Sequence, residues 1–521
     1  MARTKKSLVL ITVDCLRADH CGFYGYARPT TPFLDSLASE SIVVSTAVAA
    51  GAPTYFSIPS ILASRMPLAL GRDLVGLAPG EDTLASALRH ADYATGAFSA
   101  ANPYISSRFG YDQGFDVFRD FLDYNVDEAE APNIAAPTND TQRRTRMNRW
   151  VKESAGALGL SKVYDELYFQ YCARIAAPPV ESVDSLRRFP SADVVVGAAE
   201  SWVRSLGGRP FLLWIHLMDP HSPYYPPTDA IRGLTGTTVS PARMRYLNAA
   251  WLRSDLTPAR FARYRQDVVD LYDAGIRWVD AQLARLVQFL QATGHWDDCV
   301  FALTADHGEE FLDHGRRYHA PMDLMDEIVR VPLLLRVPSQ SSTEKDARPF
   351  GYQCSGRLDM VFSHLHLAPT LLDILDLPAP SGFQGASIWR QVLARTRSNE
   401  ARGDVPEPDG SADVAVAESV HGCTNPMNAE SLLAPRLLSV RDRHHKIVIR
   451  LEPGAVEEIY DLKSDPSEEH PLTGPATAEA RKRLLQIAAQ HMERTTNIRS
   501  DEAYLKRRLS TLRIKLDANL S

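Results

Sequence analysis

At 521 residues the chain is too long for one minimal domain, and its length suggests about two to four. A hydrophobic content of 45% with 23% charged residues describes a soluble globular protein with a large core. The formal net charge of −7 offers nothing to a polyanion and argues against nucleic acid as a partner.

The N-terminus places basic residues before SLVLITV (7–13), a pattern that superficially suggests a signal peptide. The run is short, breaks at Asp14 and is followed by no small-residue cleavage site, so it reads as a buried first strand. No later stretch approaches the roughly 18 apolar residues of a membrane span. Six scattered cysteines (Cys15, Cys21, Cys172, Cys299, Cys354, Cys423) form no CxxC pair and suit a reducing compartment. The expectation is a cytoplasmic protein with no membrane association.

Next comes GAPTYFSIPSILAS (51–64), where small and hydroxyl residues precede an apolar helical run. A strand handing over to a helix here offers free backbone N–H groups and the positive end of a helix dipole, which suits an anion. Helix capping by Thr54 or Ser57 is the ordinary alternative. TGAFSA (95–100) reads as a strand, and residues 121–185, charged and without a clear strand, read as a helical excursion or lid. PFLLWIHLM (210–218) is another strand, followed by the strongest helix, 259–294, with apolar residues at i, i+3, i+4 spacing and a terminal glycine. CVFALTA (299–305) and VPLLLRV (331–337) complete the candidate strands. Short apolar runs alternating with helices predict an α/β fold, a mostly parallel sheet covered by helices, over residues 1–395. Residues 396–412 read as a polar linker, 413–473 as a small strand-based subdomain, and 474–521 as a charged helical tail.

Three strand ends carry candidate chemistry: Asp14 with Arg17 and Asp19, Asp306 with His307, and Asp219 with His221. Ligands bind at the carboxyl ends of strands in an open parallel sheet, and carboxylates and imidazoles from several such ends can converge on one cation. Asp14, Asp306 and His307 leave a coordination position for Thr54, whose hydroxyl a cation would sharpen into a nucleophile. Each has an ordinary explanation alone: an aspartate at a strand end often caps a turn, and a histidine beside it is often merely hydrogen-bonded. Arg17 and Asp19 read as a structural pair. Asn102 is a candidate contact to an anion, and Glu309 or Glu310 a candidate support for a metal-bound histidine.

The chain resembles the alkaline phosphatase superfamily, sulfatase-like branch. The resemblance runs through LITVDCLRADHCGFYGYARPTTPFLDSLA, APTYFSIPSILAS, FGYDQGFDVF, WIHLMDPHSPYYPP, LTADHGEE, DEIVRVPLLLRVP, HLAPTLLDIL and EIYDLKSDPSEEHPL, in family order across residues 7–475. It implies a phosphatase-type α/β fold with a small C-terminal sheet subdomain, Asp14, Asp306 and His307 as metal ligands, Thr54 as nucleophile, and His221 and His319 as groups binding the anion or leaving group. In such relatives the C-terminal subdomain can edge the cleft, which draws attention to Arg436 and Lys446. His319 lies twelve residues beyond His307, a spacing that resembles phosphoethanolamine transferases, which also use threonine.

The departures shape the functional expectation. Sulfatases mature a Cys/Ser-x-Pro/Ala-x-Arg motif to formylglycine, whereas this chain has TYFSIPSIL, with Ile61 after Ser60 and no cysteine. The second aspartate of the sulfatase Asp-Asp pair is Cys15 here, and the basic segment of the next strand–loop is TGAFSAANPY. A sulfated formylglycine hydrate expels sulfate by collapsing to the aldehyde, a route closed to threonine. A phosphorylated threonine can be attacked again at phosphorus. The expected activity is hydrolysis of small phosphate or phosphonate esters. Sulfate-ester hydrolysis without formylglycine and phosphoryl transfer to an alcohol are the alternatives. The expected cofactor is zinc or manganese at one site, a second site needing His221, His319 and Asp219. Oligomeric state stays open, with a homo-oligomer among the options.

Overall fold

The computed structural model describes residues 5–71, 74–123, 151, 160–338, 355–400, 413–451, 456–473 and 478–497. A mixed sheet is built from β1 (Ser7–Val13), β2 (Ile42–Val48), β3 (Ala94–Ser99), β4 (Val117–Arg119), β5 (Phe211–Leu217) and β6 (Cys299–Ala305). After a small hairpin of β7 (Glu310–Phe311) and β8 (Arg317–Tyr318), it is completed by β9 (Arg330–Val331), β10 (Leu333–Arg336) and β11 (Gly356–Ser363). The strand order is β11-β2-β10-β6-β1-β5-β3-β4, with β9 paired to β2. β1, β5 and β6 are buried at every position, which is why they read as unbroken apolar runs.

Two features of the sheet differ from the sequence reading. β2 and β11 extend it on the side beyond β10. The serine and threonine of IVVSTAV and the charged start of GRLDMVFS diluted their apolar signal. VPLLLRV is divided at Pro332, and β10 runs antiparallel to both β2 and β6. Proline has no N–H for a ladder, so a strand passing through it must break.

Helices cover both faces. The helix Pro258–Ala292 packs against Pro32–Ala38, Ala192–Arg204, Thr228–Thr235 and Pro241–Leu252, while Leu367–Ile374 meets Thr54–Leu62 and Leu84–His90. Buried Asp280 of the long helix accepts N–H bonds from Phe33 and Leu34, both 2.9 Å, and so caps the helix Pro32–Ala38. Among the described residues no helix is long and apolar enough to cross a membrane.

A second sheet, wholly antiparallel, consists of β12 (Ala415–Val420), β13 (Arg436–Arg441), β14 (His445–Leu451) and β15 (Val456–Asp461). The helix Ala478–Asn497 lays Leu484 and Ala488 on its apolar face. Of the presumed linker, residues 401–412 lie outside the described residues, and the helix Trp389–Glu400 runs into its start. Most of the excursion 121–185 is likewise outside them; its described end contains the helix Ser161–Tyr171.

The small sheet docks through an apolar seam of Val48, Ala52, Ile328, Val361, Ala417 and Leu437 and through a buried ion cluster. Fully buried Lys446 lies 3.0 Å from Asp326 and 2.8 Å from Glu468, and Arg441 also pairs with Asp326. Lys446 and Arg436, which pairs with buried Glu418, are therefore engaged within the fold rather than offered to a cleft. Burial works to raise the Asp326 pKa, but Arg441, Lys446 and Arg330 hold it well below the usual carboxylate range. Removing one member of such a cluster strands its partners in a low dielectric. Lys446→Met is expected to lower unfolding stability by about 3–5 kcal/mol. Adding Glu468→Gln should recover part of the loss, and an unchanged denaturation midpoint in the single variant would refute this account.

Candidate active site at the strand ends

The parallel register of β1 and β6 pairs Val13 with Ala305, so the next residues, Asp14 and Asp306, leave the sheet side by side. Both are 0% exposed, as is His307. His307 Nδ1 donates to the Gly308 carbonyl at 2.8 Å, which leaves the Nε2 lone pair facing Asp14 Oδ1 at 3.7 Å and Asp306 Oδ2 at 3.5 Å. Gly308 is required there, because a Cβ would lie 2.0 Å from the Glu327 carbonyl oxygen.

Thr54 enters from the facing loop. Its Oγ1 lies 3.4 Å from Asp14 Oδ2 and 3.3 Å from His307 Nε2. The helix Thr54–Leu62 begins at this residue after an N-cap at Pro53, and no side chain caps it. Capping is therefore not what the hydroxyl residues do: Ser57 Oγ instead donates to the Asp306 carbonyl at 2.5 Å, tying helix to strand end. Gly51 lets the chain approach β12, since a Cβ there would come within 2.5 Å of the Glu418 carbonyl oxygen.

The donor set fits a divalent cation. Asp306 Oδ2 is buried without a hydrogen-bond partner, an arrangement that costs stability unless a positive charge faces it. Burial and the adjacent Asp14 carboxylate push the Asp306 pKa up. For Asp14 burial acts in the same direction, but His221, His216 and His307 outweigh it and hold the group well below its ordinary value. Two carboxylates, an imidazole lone pair and a hydroxyl suit a zinc- or manganese-type ion.

Further side chains fix these groups. Asn102 Nδ2 donates to Asp14 Oδ2 at 3.0 Å, so it contacts the carboxylate directly. His216 of β5, opposite Thr12 in the register, puts Nε2 3.3 Å from the same oxygen. Trp214 Nε1 donates to Thr12 Oγ1 at 3.0 Å, and that hydroxyl lies 2.9 Å from His216 Nδ1. A ring proton on Nε2, directed at Asp14, would leave Nδ1 to accept from Thr12 Oγ1, which also lies 3.4 Å from the Ile215 carbonyl. The only sequence signal for His216 was one polar residue in an otherwise apolar strand.

His319 lies on the loop after β8, with Nδ1 3.3 Å from Glu309 Oε2 and 3.4 Å from Cys15 Sγ. Its ring centroid is 5.0 Å from that of His221 and 4.7 Å from that of His307. His221 Nδ1 donates to the Ser222 carbonyl. Glu309 thus supports a histidine, whereas Glu310 accepts from the backbone N–H groups of His314 and Arg316. Burial, then the carboxylates of Glu309, Asp14 and Asp306, push the Cys15 thiol well above its usual range.

Asp219 does not join this group. It pairs with Arg187 at 2.9 Å, both buried, and is absent from every convergent donor cluster among the described residues. The strand end turns Asp219 toward Arg187 while His221, two residues on, faces His319. Arg17 pairs with Asp19 at 2.7 Å and with Asp313 at 2.9 Å, as a structural pair should.

A family model described as Sulfatase matches residues 6–377. An N-acetylglucosamine-6-O-sulfatase of Bacteroides thetaiotaomicron is 26% identical over 241 residues, 46% of this chain and only 38% of the relative. A multifunctional alkaline phosphatase superfamily protein of Trinickia caryophylli is 23% identical over 95% of this chain and 98% of its own length. The fold is similar to that of a phosphonate monoester hydrolase of Agrobacterium radiobacter, with a TM-score of 0.63, 18% identity and coverage of 95% and 96% of the two chains. With the match spanning most of the catalytic sheet and every strand end that bears a candidate ligand, the chain belongs to the sulfatase family, within the sulfatase-like branch of the alkaline phosphatase superfamily.

Proposed function

We propose that this protein is a metal-dependent hydrolase of phosphate or phosphonate esters acting through a covalent phospho-Thr54 intermediate. The observation that carries the reading is the Thr54 hydroxyl, set at a helix N-terminus within 3.4 Å of Asp14 and 3.3 Å of His307. The phosphonate monoester hydrolases among the similar structures support the same substrate class.

Asp14, Asp306 and His307 would hold the cation, with Thr54 completing the set. When bound, the ion supplies Lewis acidity: it draws charge from the ester's non-bridging oxygens and acidifies the Thr54 hydroxyl. Thr54 Oγ1 releases its proton to solvent and bonds to phosphorus opposite the leaving oxygen. The bond from phosphorus to that oxygen breaks with its electron pair on the oxygen, which takes a proton from His319. Glu309 orients the His319 ring through Nδ1. His221, fixed by the Ser222 carbonyl, directs Nε2 at the phosphoryl oxygens and in its imidazolium form donates to them. In the second half-reaction His319 accepts a proton from water and so regains its acid form, the resulting hydroxide attacks phosphorus, and Thr54 Oγ1 departs with the electron pair of its bond to phosphorus and takes back a proton from solvent.

Sulfate-ester hydrolysis is the second reading, favoured by relatives named as sulfatases. It lacks the aldehyde-hydrate route, because position 54 is threonine and position 57 is followed by no maturation motif. Transfer to an alcohol acceptor in place of water uses the same intermediate.

Brief turnover of a phosphodiester should leave a phosphate mass on the Thr54 peptide, and Thr54→Ala should reduce turnover by about a thousandfold or more. Paired assays with p-nitrophenyl phosphate, a phosphodiester analogue and p-nitrophenyl sulfate should rank the sulfate last; a sulfate preference would sink the phosphoryl reading. Separately, Asp306→Ala is expected to lose bound divalent metal and activity together. Full activity in that variant after chelation would remove the metal from the mechanism.

A further inference from the structure

We propose that Cys15 is a thiolate ligand of the cation at this centre, so that the site selects a zinc-class ion over manganese, magnesium or calcium. The inference rests on the metal-dependent reading above and adds the ligand that decides which metal is taken.

Cys15 follows Asp14 in the chain but does not continue the strand. Its φ of 60° places it in the left-handed region, which a residue with a Cβ enters at a cost and keeps only when its surroundings enforce it. Its N–H reaches Asp306 Oδ1 at 3.3 Å, and its carbonyl accepts the Tyr272 hydroxyl at 2.7 Å. Held this way, the side chain turns back into the centre. Sγ lies 3.1 Å from Asp14 Oδ1 and 3.4 Å from His319 Nδ1, with the residue 0% exposed.

The donors converge as metal ligands do. One atom each from Cys15, His307 and His319, and one each from Asp14, Cys15 and His221, lie within 4.8 Å of one another. Among the described residues a third such group joins Asp14, His216 and Asp306; Cys15 is common to the other two and shares them with Asp14 and His307, two of the residues assigned to the cation. Bonds of about 2.0–2.3 Å to a common ion place its ligand atoms about 3–4.5 Å apart. An independent observation points to the same ion: Asp306 Oδ2 is fully buried, has no hydrogen-bond partner and faces His307 Nε2 at 3.5 Å.

Ligation changes the selectivity in a defined direction. Carboxylate, hydroxyl and imidazole alone accommodate manganese as readily as zinc, whereas a thiolate favours zinc and disfavours the oxygen-seeking cations. Binding is a proton-for-metal exchange: the S–H bond gives its proton to solvent as the sulfur–metal bond forms, with no change of oxidation state.

The test uses the full-length protein freed of metal and reloaded with cobalt(II) or zinc alone. The cobalt form should show the near-ultraviolet thiolate-to-cobalt charge-transfer band, and zinc X-ray absorption should show a sulfur neighbour at about 2.3 Å. Cys15→Ser should remove both signals. It should also weaken zinc binding by at least about tenfold while leaving manganese binding within about twofold, a split that loss of packing would not produce. If Cys15→Ser fails to fold, the two spectra of the unaltered protein decide the matter, with Cys15→Asp, expected to shift preference toward manganese, as the second variant. Stoichiometric cobalt or zinc bound without the sulfur signatures overturns the Cys15 assignment and leaves the proposed function standing. Failure to bind either metal overturns both.

Discussion

Two carboxylates forced together out of water set the terms for everything around them. The register of adjacent parallel strands delivers Asp14 and Asp306 to one point, and a ligand atom from each lies within 4.8 Å of the other. Two like charges about 4 Å apart at a protein-like effective dielectric of about 20 repel by about 4 kcal/mol. Neither group has solvent to relieve this. The response is visible in the opposite displacements of the two groups, Asp14 held ionised by surrounding histidines and Asp306 driven toward its neutral form by burial and its neighbour. A doubly charged cation would satisfy both carboxylates and give the unpartnered Asp306 oxygen its counterpart.

The rest of the centre is arranged around that need for direction rather than for additional charge. Trp214, Thr12 and His216 form a hydrogen-bonded chain ending on Asp14, all of it inside the sheet where rotamers have little freedom. Asn102 adds a donor to the same oxygen from the loop after β3. On the other side the β7–β8 hairpin brings His319 back to the strand ends, and Glu309 at its root meets the histidine at its end. The C-terminal sheet contributes at a distance. Glu418 of β12 accepts the Leu68 N–H at 2.7 Å and donates its own N–H to the Ala50 carbonyl at 2.9 Å, steadying both ends of the segment that carries Thr54.

How far the sequence could be read depended on where each residue sat. Asp14 and Asp306 were legible because each terminates a continuous apolar run, so the break in hydrophobicity is itself the strand end. Thr54 was legible from its neighbours, the small and hydroxyl residues ahead of an apolar run, although the helix begins at the threonine itself rather than after those residues. Asp219 had the same local signal as Asp14, and only tertiary packing turned it to Arg187. His216 was hidden because β5 is buried on both faces and shows no alternation from which an inward position could be read. Cys15 was visible only as a missing aspartate; that its sulfur returns to the centre depends on a left-handed backbone angle that no residue pattern announced.

In the proposed mechanism the threonine and the cation together would constrain the chemistry more tightly than the fold does. The chain is similar in fold to a phosphonate monoester hydrolase and in sequence to relatives named as sulfatases, so architecture alone does not choose between the two ester classes. What differs is how the covalent intermediate can end. An aldehyde hydrate releases its anion by breaking the bond from carbon to oxygen and needs no second attack at the central atom. Threonine carries one hydroxyl and a methyl group, so its ester can be released in place only by renewed substitution at that atom. Renewed substitution demands a positioned nucleophile and an acid that can become a base, and this centre presents a pair of histidines 5.0 Å apart, one of them backed by a carboxylate. Under the proposed mechanism a threonine nucleophile and its surroundings would call for the same two-step displacement, a sequence well suited to phosphorus, which accepts an incoming oxygen from the face opposite the departing one in each step.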